Sequence, residues 1–176
     1  MSDEGLSLSG FYVLHAEDFP SDAENFQDIL QDMVAGQFEQ TMKMKTIPIE
    51  TVAQAREVTA QLNQKSSADM LYLFTTPYLA VAQGLIETTR FDAIVTDWHL
   101  KQPPDSLFHL LGPDGSKIAQ LATNREFQPY AKVVIASDTI SPSEEPPAGV
   151  PIMQKIDGFR YARDIIAEQL TEFLSG

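Results

Sequence analysis

At 176 residues, 43% of them hydrophobic and 21% charged, the chain can form one domain with a buried core and is too apolar for wholesale disorder. Its 25 acidic against 12 basic residues give a net charge of −13, which repels phosphate backbones and anionic lipid and argues against nucleic-acid or membrane binding. The lack of cysteine excludes disulfides, thiolate catalysis and Cys-ligated zinc.

In chain order, residues 1–10 are small and polar and read as a flexible leader, with acid where a secretory signal needs positive charge. No apolar run is long enough to span a bilayer, so a cytoplasmic protein is expected. Residues 11–176 then read as a single domain. Five short apolar runs, Phe11–Ala16, Met70–Phe74, Ala93–Thr96, Lys132–Ala136 and Val150–Gln154, are nearly continuous rather than alternating, as strands covered on both faces are.

Helical periods separate these runs. Ser21 and Glu24 form a capping-box pattern ahead of an apolar stripe of Phe26, Ile29, Leu30, Met33 and Val34. Thr76-Pro77 predicts the start of a helix with Val81, Leu85 and Ile86 inward. Gly115 precedes Ile118, Leu121 and Ala122, and Asp157 is placed to cap a last helix with Phe159, Ala162, Ile166, Leu170 and Phe173 inward. Alternating strands and helices imply an α/β fold with a five-stranded parallel sheet.

Residues 37–68 add a helical stripe of Val52, Ala55, Val58 and Leu62. They read either as an inserted helix or as an extra strand–helix unit. The insertion is favoured, because Pro48 argues against a central strand. Its stripe must be buried on this domain or serve as an interface. Residues 101–112 read as an extended loop, and the proline-rich 141–147 stretch leaves the fourth crossover helix missing or reduced.

In open parallel sheets, sites form beyond the carboxyl ends of the strands. Those positions hold Glu17-Asp18, Asp97, Ser137 and Lys155. Three converging carboxylates repel unless a cation sits among them, and Mg²⁺ suits such oxygen donors. A carboxylate held in this way can attack a phosphoryl group, while an ammonium and a hydroxyl can stabilise its oxygens. Singly, each residue has a plainer role, as a helix cap, turn residue or surface ion pair. His15, in mid-strand, reads as a satisfied buried histidine, and Trp98 as packing over the crevice or in the core.

The segments Leu14-His15-Ala16-Glu17-Asp18, Phe91–Leu100 with Asp97, Gly112-Pro113-Asp114-Gly115, Val133–Ser137 and Val150–Lys155 together resemble the receiver domain of two-component response regulators. The resemblance implies a flavodoxin-like (βα)5 three-layer sandwich. It makes Asp97 the phosphoacceptor, with Mg²⁺ held by Glu17, Asp18, Asp97 and the His99 backbone carbonyl. Ser137 would be the switch hydroxyl and Lys155 the phosphate-pairing cation. The phosphoryl donor would be a histidine kinase or phosphotransfer protein, the chain itself being a phosphoacceptor rather than an enzyme. With no room for an output domain, its message is expected to pass by contact with a downstream protein.

The chain departs from the family pattern in three places. Asp138 follows the switch hydroxyl where a small residue is usual, Ile156 replaces the proline after the lysine, and Ile152 replaces the switch aromatic. These favour one rival, a pseudo-receiver used as a binding module without phosphotransfer. A second rival, a Mg²⁺-dependent aspartyl phosphatase, would need an acid where His99 stands.

Overall fold

A computed structural model of the chain describes residues 10–65, 68–100, 114–138 and 147–175. Strands and helices alternate: β1 (Phe11–Ala16), α1 (Pro20–Gln37), β2 (Lys43–Pro48), α2 (Val52–Lys65), β3 (Met70–Thr76) and α3 (Leu79–Thr88). They continue as β4 (Ala93–Thr96), α4 (Asp114–Ala122), β5 (Lys132–Ala136), β6 (Ile152–Met153) and α5 (Lys155–Ser175). The strands form one six-stranded sheet in the order β2-β3-β1-β4-β5-β6, with every pairing parallel. Helices cover both faces, in agreement with a flavodoxin-like three-layer arrangement.

Period-two alternation along the strands explains the layers. Phe11 and Val13 of β1 join Leu71, Leu73 and Val95 beneath α1 and α5, where Phe26, Leu30, Phe159 and Ile166 close the core. Tyr12 and Leu14 point the other way with Tyr72, Phe74 and Ile94, beneath α2, α3 and α4. The chain steps one way along the sheet through α1 and the other way through α2, α3 and α4. Right-handed crossovers therefore put α1 on the opposite face from those three helices.

The expected inserted helix is instead the extra strand–helix unit. Lys43–Pro48 pairs with Met70–Thr75 and adds a sixth strand outside the expected five. Pro48 argued only against a central strand, and β2 is at the edge, where a proline at the strand's end costs no central ladder bond. The α2 stripe is used within the domain: Ala55 and Leu62 are buried and Val58 packs on the core. Val52 Cγ1 meets Gly84 of α3, 3.7 Å from where a Cβ would stand.

The helix starts also differ from expectation. α1 begins at Pro20 with Phe19 as N-cap and no side-chain cap, so Ser21 falls inside its first turn and Glu24 just beyond it. Proline's fixed φ favours that earlier start. α3 begins at Leu79, with Thr76 Oγ1 accepting from the Tyr78 N–H at 3.3 Å. α5 begins at Lys155, and Asp157 lies in its first turn. The carboxylate that accepts the Lys155 backbone N–H is that of Asp138, at 3.1 Å. Among the described residues no helix lies between β5 and β6. The leader through residue 9, the 101–112 loop and residues 141–146 of the proline-rich stretch lie outside the described residues. No helix among the described residues is long and apolar enough to cross a membrane.

At the amino end of β4, the Asp92 carboxylate accepts the Tyr12 N–H at 2.8 Å, and burial pushes its carboxyl up to about 6 from an ordinary 3.8. Between those values the folded protein holds a proton that the unfolded chain releases, so this group's contribution to stability falls as pH rises through the window. Asp92→Asn keeps an acceptor for Tyr12 and removes the ionisation. It should be more stable than wild type at pH 7 by on the order of 1 kcal/mol and close to wild type at pH 4. Urea midpoints at the two pH values test this, and a pH-independent difference would contradict it.

Candidate functional site

The direction of chain progression reverses between β1 and β4, the position where open α/β sheets form their crevices. The backbone continues the parallel ladder past the strand ends: Glu17 N–H donates to Thr76 O at 3.0 Å and Asp97 N–H to Ala16 O at 2.8 Å. Glu17, Asp18 and Asp97 are thereby brought so close that one carboxylate oxygen from each lies within 4.8 Å of the others. From the far side, Ser137 directly follows β5, with its N–H on Met153 O at 2.9 Å, and Lys155 opens α5. A cleft of about 250 Å³ opens over them, lined by Asp18, Phe19, Asp22, Asp97, His99, Asp138 and Lys155.

Asp97 is held at both oxygens. Its Oδ1 accepts the Trp98 backbone N–H at 2.6 Å, its Oδ2 lies 3.4 Å from Lys155 Nζ, and the Ser137 hydroxyl bonds the same carboxylate. Lys155 is only 6% exposed, and its ammonium donates to Glu17 Oε1 at 2.9 Å and Asp22 Oδ2 at 2.8 Å. The Phe19 ring sits over it, 4.7 Å from Nζ to the centroid.

The electrostatics separate the carboxylates into two kinds. Burial, with the charge of Asp97 adding to it, pushes Glu17 up to about 9. Asp18 is raised by burial and by its hydrogen bond with Asp97. Burial also opposes ionisation of Asp97, yet the bonds from Asp18 and Ser137 and the Lys155 charge outweigh it and hold Asp97 below the ordinary value. Burial alone would lower Lys155, but its bonds to Asp22 and Glu17 raise it, so it stays an ammonium. The surroundings thus favour the charged form of Asp97 and disfavour those of Glu17 and Asp18.

Glu17 Oε2 and Asp18 Oδ1 are buried without a hydrogen-bond donor. Buried carboxylate oxygens ordinarily find one, so these two are suited to a cation. An all-oxygen set of this size fits a hard ion such as Mg²⁺, whose charge would favour the ionised forms of the acid pair.

All the strand-end residues expected from the sequence, Glu17, Asp18, Asp97, Ser137 and Lys155, converge here, and His99 lines the same cleft. Trp98 is fully buried in the core rather than lying over the crevice. His15 is buried between Phe26 and Phe159 on the α1/α5 face, with no partner for either ring nitrogen, and burial pushes it down to about 3. It is therefore a neutral ring packed among aromatics and not the satisfied histidine expected. Sequence reasoning missed Asp22 and Phe19. Both stand at the opening of α1, and what brings them into the cleft is their contact with Lys155 of α5.

No protein-family model matches this sequence, and no curated protein is detectably similar to it.

Proposed function

We propose that this chain is a receiver-type phosphoacceptor in which Asp97 takes up a phosphoryl group and the resulting change is passed to a partner by protein contact. The observation that carries the reading is the meeting of Glu17, Asp18, Asp97, Ser137 and Lys155 at one strand-end cleft. Support comes also from the sheet: without the edge strand β2, its order β3-β1-β4-β5-β6 is the 2-1-3-4-5 order of flavodoxin-like folds.

An Asp97 carboxylate oxygen would attack phosphorus as the bond from phosphorus to the donor's leaving group breaks. The Trp98 N–H fixes the orientation of the carboxylate, while Lys155 and Ser137 can donate to oxygens of the incoming group. Mg²⁺, held by Glu17, Asp18 and Asp97 with the His99 carbonyl as a further ligand, would supply charge neutralisation for the phosphoryl oxygens. The donor would be a histidine kinase or phosphotransfer protein in the cytoplasm, and the receiver of the signal a downstream protein. The direct test is incubation with acetyl phosphate with and without Mg²⁺. A hydroxylamine-sensitive adduct that requires the metal is expected, and an unmodified protein under both conditions would reject the reading.

One observation favours the pseudo-receiver alternative: Asp138 lines the cleft and adds an acid where a phosphoryl group would sit. Its carboxylate is, however, directed to the Lys155 backbone N–H, which leaves it a structural task at the start of α5.

The acid pair should be unequal in metal binding. Each has one buried oxygen with no donor, but the Glu17 carboxylate is also tied to Lys155 and the Phe19 N–H through Oε1, which restrains it from turning toward a metal. Asp18→Asn should therefore weaken Mg²⁺ binding more than Glu17→Gln, by roughly tenfold against a few-fold. Trp98 fluorescence titrations report this, and equal losses would show the ranking to be wrong.

A further inference from the structure

We infer that Asp22 governs how readily Lys155 engages a phosphoryl group, acting as an internal anion that competes for this ammonium; the inference rests on the phosphoacceptor reading above. An ammonium has three N–H donors. Those of Lys155 face Asp22 at 2.8 Å, Glu17 at 2.9 Å and Asp97 at 3.4 Å, so the contact with the phosphoacceptor is the longest. Lys155 is buried and roofed by Phe19, which leaves it little access to water, and any new anion must displace one of these three.

The partners differ in how easily they can leave. The side chains of Glu17 and Asp97 are 1% and 5% exposed, whereas that of Asp22 is 28% exposed. Asp22 also stands in the first turn of α1, where a carboxylate is favoured by the helix terminus even after it releases the lysine. A phosphoryl group on Asp97 would bring up to two negative charges and three acceptor oxygens. The bond that Lys155 gives up to meet it is the one to Asp22. Asp22 is thus a positioning residue: it touches the lysine, not the reacting atoms, and sets how much must be broken before the lysine can move.

The experiment is a titration of the full chain with beryllofluoride, a phosphoryl mimic, in excess Mg²⁺, read by the fluorescence of Trp98 beside Asp97. Asp22→Asn should bind roughly three- to tenfold tighter than wild type, the size expected for one partly exposed charged hydrogen bond. Asp22→Glu, which keeps the anion, should stay within about twofold of wild type. Asp138→Asn removes a carboxylate from the same cleft that does not touch Lys155 Nζ, and should give the smaller gain of the two neutral variants. A gain in affinity is not an outcome that mere structural damage produces. Binding by wild type that Asp22→Asn leaves unchanged or weakens would overturn the role of Asp22 alone. Equal gains from Asp22→Asn and Asp138→Asn would also overturn it, since the effect would then be general charge removal. No response in wild type or in Asp22→Asn would overturn the phosphoacceptor reading, and this inference with it.

Discussion

Asp97→Asn should abolish labelling by acetyl phosphate while leaving the fold in place. The substituted amide retains an oxygen that can accept the Trp98 N–H, a bond of 2.6 Å in the native protein, so the turn after β4 keeps its anchor. What disappears is the ionised oxygen. Asp97 is the carboxylate of the cluster held below its ordinary value, whereas Glu17 and Asp18 are raised, which makes them the weaker candidates for nucleophile. Hydroxylamine-sensitive label should fall to background in Asp97→Asn, with urea stability within about 1 kcal/mol of wild type. Peptide mapping decides the matter. Label that persists in the variant, or that maps to Glu17, Asp18 or a residue elsewhere, would refute the assignment.

The convergence of the strand ends was legible because burial on both faces gives parallel strands near-continuous apolar runs, and the residues just past such runs are forced into the crevice. Glu17, Asp97, Ser137 and Lys155 were placed in this way, from strand ends that differ from the expected ones by at most a residue or two. Edge strand β2 was not legible for the complementary reason. Only Ile47 of its six residues is buried, so it has no continuous apolar run, and its proline mimics a break. The capping box at Ser21 and Glu24 misled because propensity at a helix terminus is worth only about 1 kcal/mol, and a proline one position earlier competes with it. Asp22 escaped notice because its partner lies 133 residues away, on α5. No local pattern encodes that pairing. It exists only because α1 and α5 share a face of the sheet.

The same distant pairing makes Lys155 the residue whose loss should be felt most in stability. Lys155→Met keeps an unbranched side chain at this buried position and removes the charge. Glu17 Oε1, Asp22 and Asp97 then lose their common donor, and breaking a buried ion pair on one side costs about 3–5 kcal/mol. Two effects bring the expected loss toward the lower end. Asp22 reaches solvent, and Glu17, already at about 9, can stay protonated. The second effect fixes the pH dependence. A carboxyl raised above its unfolded value contributes stability at low pH and loses it as pH rises toward the folded value. The variant should therefore be milder at pH 6 than at pH 9, because high pH forces charge onto a cluster that no longer contains a cation. Mg²⁺ at about a hundred times its dissociation constant should return some 2.7 kcal/mol, and more at pH 9 than at pH 6 if the two cations neutralise the same oxygens. Thermal and urea unfolding with Mg²⁺ and with chelator, at both pH values, supply the test. A variant as stable as wild type would show that the ammonium is not the counter-ion of this acid cluster, and one that Mg²⁺ fails to stabilise would count against the proposed metal site.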